Sequence, residues 1–299
     1  VFNAESDLIL AESALASNLK LIETMLEVDP ENVQLLSFAS QGFSSYAFAF
    51  VEDAMEEAEI EGDETRAALH RKRARTHYAR GKEYALRMIE IELPKVYDAL
   101  SGSTEDLSHA LARVEKKEEV ESLFWLGYAW GQLINLSLDD MNVVSDVSKV
   151  ELVMKRVLEV DPTYFNGGPH LFFGAYYASR AAAVGGDPEK GREHLEKVIA
   201  LTQGKFLIPK YFLARFYAIN TFDCPLFVRT LREIVEAPDD LWPEQRLANE
   251  VAKKRARRLL DNLDEYFDPE TDCEGVEIEP VAQHAPVERS PIAAVGSLQ

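Results

Sequence analysis

The segment Phe165–Leu201, FNGGPHLFFGAYYASRAAAVGGDPEKGREHLEKVIAL, decides the fold. It reads as a helix, a tight turn and a second helix. Gly167, Gly168 and Pro169 interrupt any preceding helix, and proline is tolerated in a first helical turn. Leu171, Gly174, Tyr177 and Ala178 then recur at the three-and-four spacing of one helical face. Gly185 and Gly186 end that helix. Asp187 is a capping residue and Pro188 fits the first turn of the next helix, which carries Leu195, Val198, Ile199 and Thr202 on one face. A Gly-x-x-Tyr on the first helix, followed by apolar residues on the second, is the layout of a tetratricopeptide-type helical hairpin.

Working outward, residues 208–221 and 225–236 repeat the pairing. The tetrapeptide EVDP closes helices at Glu27–Pro30 and Glu159–Pro162, where such repeats commonly place a proline. Helical periodicity also marks 7–28, 32–59, 65–93, 119–138, 147–160 and a last helix from Trp242-Pro243 to about Phe267. Residues 95–118 read as a less regular insertion with a short helix capped near Thr104. The expected fold is therefore all-α: irregular tetratricopeptide-like stacked helical hairpins forming one superhelical domain over residues 1–267. After Asp268 the periodicity stops, prolines recur, and 268–299 reads as a disordered tail.

Composition narrows the function. The chain has 299 residues, 46% hydrophobic, with 52 acidic and 32 basic side chains and a formal charge of −20. Nucleic acids and anionic lipids both ask for a basic footprint, so neither is an expected partner. No apolar run reaches the roughly 18 residues that a membrane-spanning helix needs. The start, VFNAESDLIL, has no signal core and no initiator methionine, so the N-terminus is expected to have been trimmed. Cys224 and Cys273 make no metal-spaced pair and read as incidental free thiols.

Catalytic motifs are missing from the sequence. There is no phosphate-binding glycine loop, no His-Glu-x-x-His and no Gly-x-Ser-x-Gly, so neither an enzyme nor a cofactor is expected. His70 and His77 share a helix face without a third ligand, so no metal site is expected there. The aromatic stripes are richer. Phe43, Tyr46 and Phe50 line one helix, and Trp125, Tyr128 and Trp130 another. Either stripe can be packed core or the wall of an apolar cleft. Gly127 and Gly131 share a face and permit close helix packing, which offsets glycine's cost of about 1 kcal/mol each in a helix interior. Gln132 and Asn135, polar among apolar neighbours, either satisfy backbone or face a cavity. His170 opens its helix beside Gly167–Pro169, either packed or touching a ligand. The basic run Lys253, Lys254, Arg255, Arg257 and Arg258 reads as an outer helical face, solvated or used for docking. The arginines of 65–93 read as a solvated face that neutralises Glu52, Asp53, Glu56 and Glu57.

Five stretches in order carry a family resemblance: QLLSFASQGFSSYAFAFVEDA (Gln34–Ala54), LFWLGYAWGQLINLSLDD (Leu123–Asp140), GGPHLFFGAYYASR (Gly167–Arg180), GGDPEKGREHLEKVIAL (Gly185–Leu201) and LANEVAKKRARRLL (Leu247–Leu260). Together they resemble the T-components of tripartite periplasmic (TRAP) transporters, the TatT-type proteins, over about residues 8–267. The resemblance implies a periplasmic, lipid-anchored tetratricopeptide protein that forms homotrimers. It implies docking on the substrate-binding P-component and an apolar cleft handling a small apolar or organic-acid ligand. The lipidated cysteine would lie upstream of Val1. The insertion at 95–118 and the tail have no family role. Cleft candidates are Phe43, Tyr46, Trp130, Asn135, His170, Tyr177 and Arg180, the last as counter-ion to an organic acid. The alternatives are a generic tetratricopeptide adaptor that holds a peptide or protein partner and a purely structural oligomer.

Overall fold

The computed structural model describes residues 2–276. Among them every regular element is helical. α1 (Leu8–Val28) starts where the Asp7 carboxylate accepts the backbone N–H groups of Ile9 and Leu10. α2 (Val33–Tyr46) is capped by Asn32 and runs through a π-helical turn, Ala47–Val51, straight into α3 (Glu52–Ile60). The periodic stretch 32–59 is thus one long helix, widened at a single turn. Gly62, at a φ of 72°, turns the chain, and Asp63 caps α4 (Glu64–Glu92). Pro94 opens α5 (Pro94–Leu100). The cap of α6 (Thr104–Leu111) is Ser103, one residue earlier than the sequence suggested, because Ser103 and Asp106 close a reciprocal capping box.

α7 (Val120–Asn135) is the most enclosed helix: Leu123, Phe124, Trp125, Leu126, Ala129, Trp130 and Ile134 are all buried. It packs against α2, α4 and α9. α8 (Met141–Val144) is a single turn, followed by α9 (Val147–Val160). α10 (Tyr164–Ala178) and α11 (Pro188–Leu201) are the hairpin read from the sequence. The Asp187 carboxylate accepts the Lys190 N–H at 3.1 Å and Pro188 occupies the first turn. α12 (Ile208–Phe212) also passes into a π-helical segment, Leu213–Ala218, before α13 (Cys224–Val235) and α14 (Arg246–Asp261). The last α-helix therefore ends earlier than Phe267, after which a short 3₁₀ turn covers Leu263–Glu265. No helix among the described residues is long and apolar enough to cross a membrane.

Two sequence expectations are corrected here. The basic run on α14 is not an outer face. Lys253 and Arg255 are 2% and 1% exposed. Lys253 donates to Asp239 at 2.6 Å, Arg258 to Asp53 at 2.7 Å and to Glu56, and Lys254 to Asp53 at 2.5 Å. Arg255 donates to the Phe48 carbonyl and lies 3.6 Å from both Asp53 and Glu56. A cation run is buried only when fixed anions compensate for lost water; α3 supplies Asp53 and Glu56 for Lys254, Arg255 and Arg258, and the loop after α13 supplies Asp239 for Lys253. It follows that Asp53 and Glu56 are neutralised by α14, while on α4 Arg66 pairs with Glu61 and Arg71 with Glu59.

The cysteines are not free thiols. Cys224 and Cys273 form a disulfide across 49 residues, both fully buried. Residues 268–276 fold back onto α13, so Cys273 reaches its partner and Phe267 packs against Phe227. The remainder of the expected tail, 277–299, lies outside the described residues.

Candidate functional site

The α10–α11 hairpin gathers a set of partly exposed aromatic side chains. Phe165, Asn166 and Gly167 take left-handed φ values of 48°, 58° and 84°, which kinks the chain just before Gly168. A Cβ on Gly168 would meet the Phe124 ring at 2.6 Å, so glycine is what lets α10 approach α7. Pro169 then starts the straight part of the helix. His170, Phe173 and Tyr177 follow at helical spacing and face α11. The two helices are held close at Gly174 and Gly191: a Cβ on Gly191 would lie 2.6 Å from the Ala178 backbone nitrogen.

That closeness brings His194 of α11 against α10. The Nδ1 atoms of His170 and His194 are 2.8 Å apart, so one ring donates and the other accepts. The His194 ring also rests against Phe173 and Tyr177, at centroid distances of 5.6 and 5.9 Å. Burial pushes His194 down to about 4, helped by the charges of His170, Lys197 and Lys190. Burial, then Lys197, also lowers His170. Both rings are therefore neutral near pH 7, and the histidine pair adds no charge to the face.

Two cations lie on this face. Lys190 Nζ sits 3.9 Å above the Tyr177 ring, and the Arg180 guanidinium sits 3.8 Å above Tyr176. Neither forms an ion pair among the described residues. The Tyr176 hydroxyl donates to Glu151 at 3.0 Å, which fixes the ring beneath Arg180. His170, Phe172, Tyr176, Tyr177 and Arg180 are all only partly buried. Partly exposed rings beneath unpaired cations can take a molecule with an apolar body and an anionic end.

The remaining candidates stand elsewhere. Phe43 and Tyr46 on α2 are buried around His77 of α4, at centroid distances of 5.8 and 5.1 Å. Burial, then Arg73 and Arg80, lowers His77 to about 4. Phe43 is backed by Tyr84 at 5.8 Å and by the Arg80 guanidinium at 4.5 Å, so it forms the wall behind a groove lined by those two side chains. Trp130 is buried in the α7 core, with the Lys82 ammonium 4.0 Å above its ring. Asn135 is exposed at the end of α7 and donates to Gln132 at 3.0 Å. The structure thus brings His170, Tyr177 and Arg180 to one face, and Phe43 and Tyr46 to another. Trp130 and Asn135 join neither.

Sequence reasoning missed three groups. His194 faces His170, Phe173 and Tyr177, and its place beside Leu195, one turn before Val198, was the available signal. Gly191 was passed over because it sits mid-helix beside charged residues. Glu52 is the third: it is buried at the end of the π turn and accepts from the Tyr78 hydroxyl. Burial raises its carboxyl to about 7 against the opposing pull of Arg255 and that hydrogen bond. No group of three or more His, Cys, Asp or Glu side chains is placed to hold a metal ion among the described residues.

The described residues define an all-helical fold with an aromatic, cation-topped face. A family model described as the TRAP transporter T-component matches residues 4–267. The chain belongs to the TRAP transporter T-component family. Its role is thus an accessory one in TRAP transport, and the family is one of transporter components, not of enzymes. No curated protein matches the chain.

Proposed function

We propose that this chain is a periplasmic accessory that docks on the substrate-binding P-component of its transporter and holds a small organic acid on the α10 face. The carrying observation is the pair of unpaired cations, Arg180 and Lys190, over the partly exposed rings of Tyr176 and Tyr177. A carboxylate would meet the cations while an apolar body lies along Phe172, Tyr176 and Tyr177. The neutral His170–His194 pair completes that wall. The buried disulfide supports an oxidising compartment, where such bonds persist. In this reading the helix pairs stack as a tetratricopeptide-like array, the protein works as a homotrimer, and any lipid anchor lies upstream of Val1.

Native mass spectrometry of gently purified protein tests the ligand and the trimer together. The expected result is a trimer mass with one retained acid per protomer, lost in Tyr177→Ala and Arg180→Gln. A ligand-free spectrum for the wild type, or retention unchanged in both variants, contradicts the ligand assignment.

A further inference from the structure

A second, chemically different recess lies between α1 and α4. It encloses about 390 Å³, within the few hundred Å³ typical of small-molecule sites. Lys20, Glu23 and Glu27 line it from α1, and Arg80, Tyr84 and Arg87 from α4. Glu23 is saturated: it accepts from Lys20 at 2.7 Å, from the Tyr84 hydroxyl at 2.8 Å and from Arg80. Burial pushes its carboxyl up, but those donors and cations outweigh it and hold the group below its usual value. Arg80 is fixed further by lying 4.5 Å above Phe43, and Tyr84 by stacking on the same ring. This wall is therefore set in place before any ligand arrives.

Two charges in the recess are left over. Arg87 lies 5.6 Å above Tyr84 and donates to the Pro30 carbonyl at 2.5 Å, with no carboxylate partner among the described residues. Glu27 has no cationic partner there either. Lys20 and Arg80 share the single charge of Glu23 and keep spare donors. The lining therefore carries one surplus positive charge, together with one unanswered carboxylate.

We propose that this groove binds a free acidic α-amino acid, its carboxylates on Arg87 and the Lys20–Arg80 edge and its ammonium on Glu27. The net charge of such a molecule, one negative, matches the surplus. A plain dicarboxylate leaves Glu27 facing an anion, and a basic amino acid adds to the surplus cation. The groove is built from α1 and α4, so this inference is independent of the α10 reading.

Calorimetric titration of the full chain with L-glutamate, using glutarate as the analogue without an ammonium group, tests it. L-Glutamate should bind saturably, one per protomer, and more tightly than glutarate. Arg87→Gln should weaken both ligands by about tenfold or more. Glu27→Gln should weaken L-glutamate by a similar factor and leave glutarate unchanged or tighter. Glu27 is exposed, so Glu27→Gln should melt like the wild type, and Arg87→Gln, which loses the Pro30 hydrogen bond and the Tyr84 contact, should melt only slightly lower. The proposal is overturned by absence of saturable heat up to about 10 mM ligand, by equal affinity for the two ligands, or by wild-type affinity in both variants. It is equally overturned if Tyr177→Ala, and not Arg87→Gln, abolishes binding.

Discussion

Glu52 and the histidines pull the stability of this protein in opposite directions with pH. Glu52 has its folded pKa raised to about 7. Between its ordinary value and about 7 the unfolded chain ionises first, so this carboxyl costs stability as pH rises through that window. His77 and His194 are lowered to about 4. Below their ordinary value the unfolded chain binds protons first, so they cost stability as pH falls toward 4. Glu52→Gln keeps an acceptor for the Tyr78 hydroxyl and removes the titration. Urea denaturation should find this variant more stable than wild type at pH 8, by on the order of 3 kcal/mol. The advantage should shrink toward pH 4.5, leaving a steeper acid loss; a pH-independent difference would show that Glu52 is ordinary. A second residue-scale test concerns packing. A Cβ at Gly191 meets Ala178 backbone at 2.6 Å, whereas at Gly127 it meets the flexible Met154 side chain. Gly191→Ala should therefore lower stability by about 1–3 kcal/mol and Gly127→Ala by less, as read from denaturant midpoints.

At the scale of elements, α14 is anchored to α3 by charge, while its apolar stripe packs on α12 and α13. Burial pushes Asp53 up, but Arg255, Arg258 and Lys254 outweigh it and hold the carboxyl below its usual value. Removing Arg255 leaves Asp53 and Glu56 short of a buried partner. Arg255→Ala should cost about 3–5 kcal/mol, and Asp53→Asn should be milder, because two cations then still face Glu56. Equal and small effects would show the network to be solvent-screened. This is also where the sequence was least legible. Helix ends were readable, because Asp63, Asp187 and Pro188 carry caps within a few residues. The inward position of Arg255 was not, because its anions, Asp53 and Glu56, lie some two hundred residues away, while buried Lys253 turns to Asp239 in the loop after α13. The π turns at Ala47–Val51 and Leu213–Ala218 left no mark in periodicity. Of the candidate face, Tyr177 lay on the hairpin's periodic stripe and Arg180 entered through the family resemblance, whereas pairing His170 with His194 needed the close approach at Gly174 and Gly191.

At the scale of the whole molecule, the disulfide closes the C-terminal third. Joining Cys224 to Cys273 ties residues 268–276 to α13 and covers Phe227 with Phe267. Periodicity could not reveal it, since Cys273 follows the last helix. Replacing both cysteines with alanine should cost about 2–5 kcal/mol, measured by guanidinium denaturation; an unchanged midpoint would mean that the bond adds nothing to packing already in place. The acidic charge, −20 overall, opposes non-specific association and nucleic acid, and leaves specific contacts, those of the proposed trimer included, to carry assembly. Under the function we propose, this T-component works by docking on a P-component. Surface plasmon resonance between the purified chain and the P-component encoded in the same genome tests it most directly. The expected result is saturable, reversible binding of one P-component per protomer. No association at concentrations up to about 100 μM, with and without an organic acid present, would contradict it.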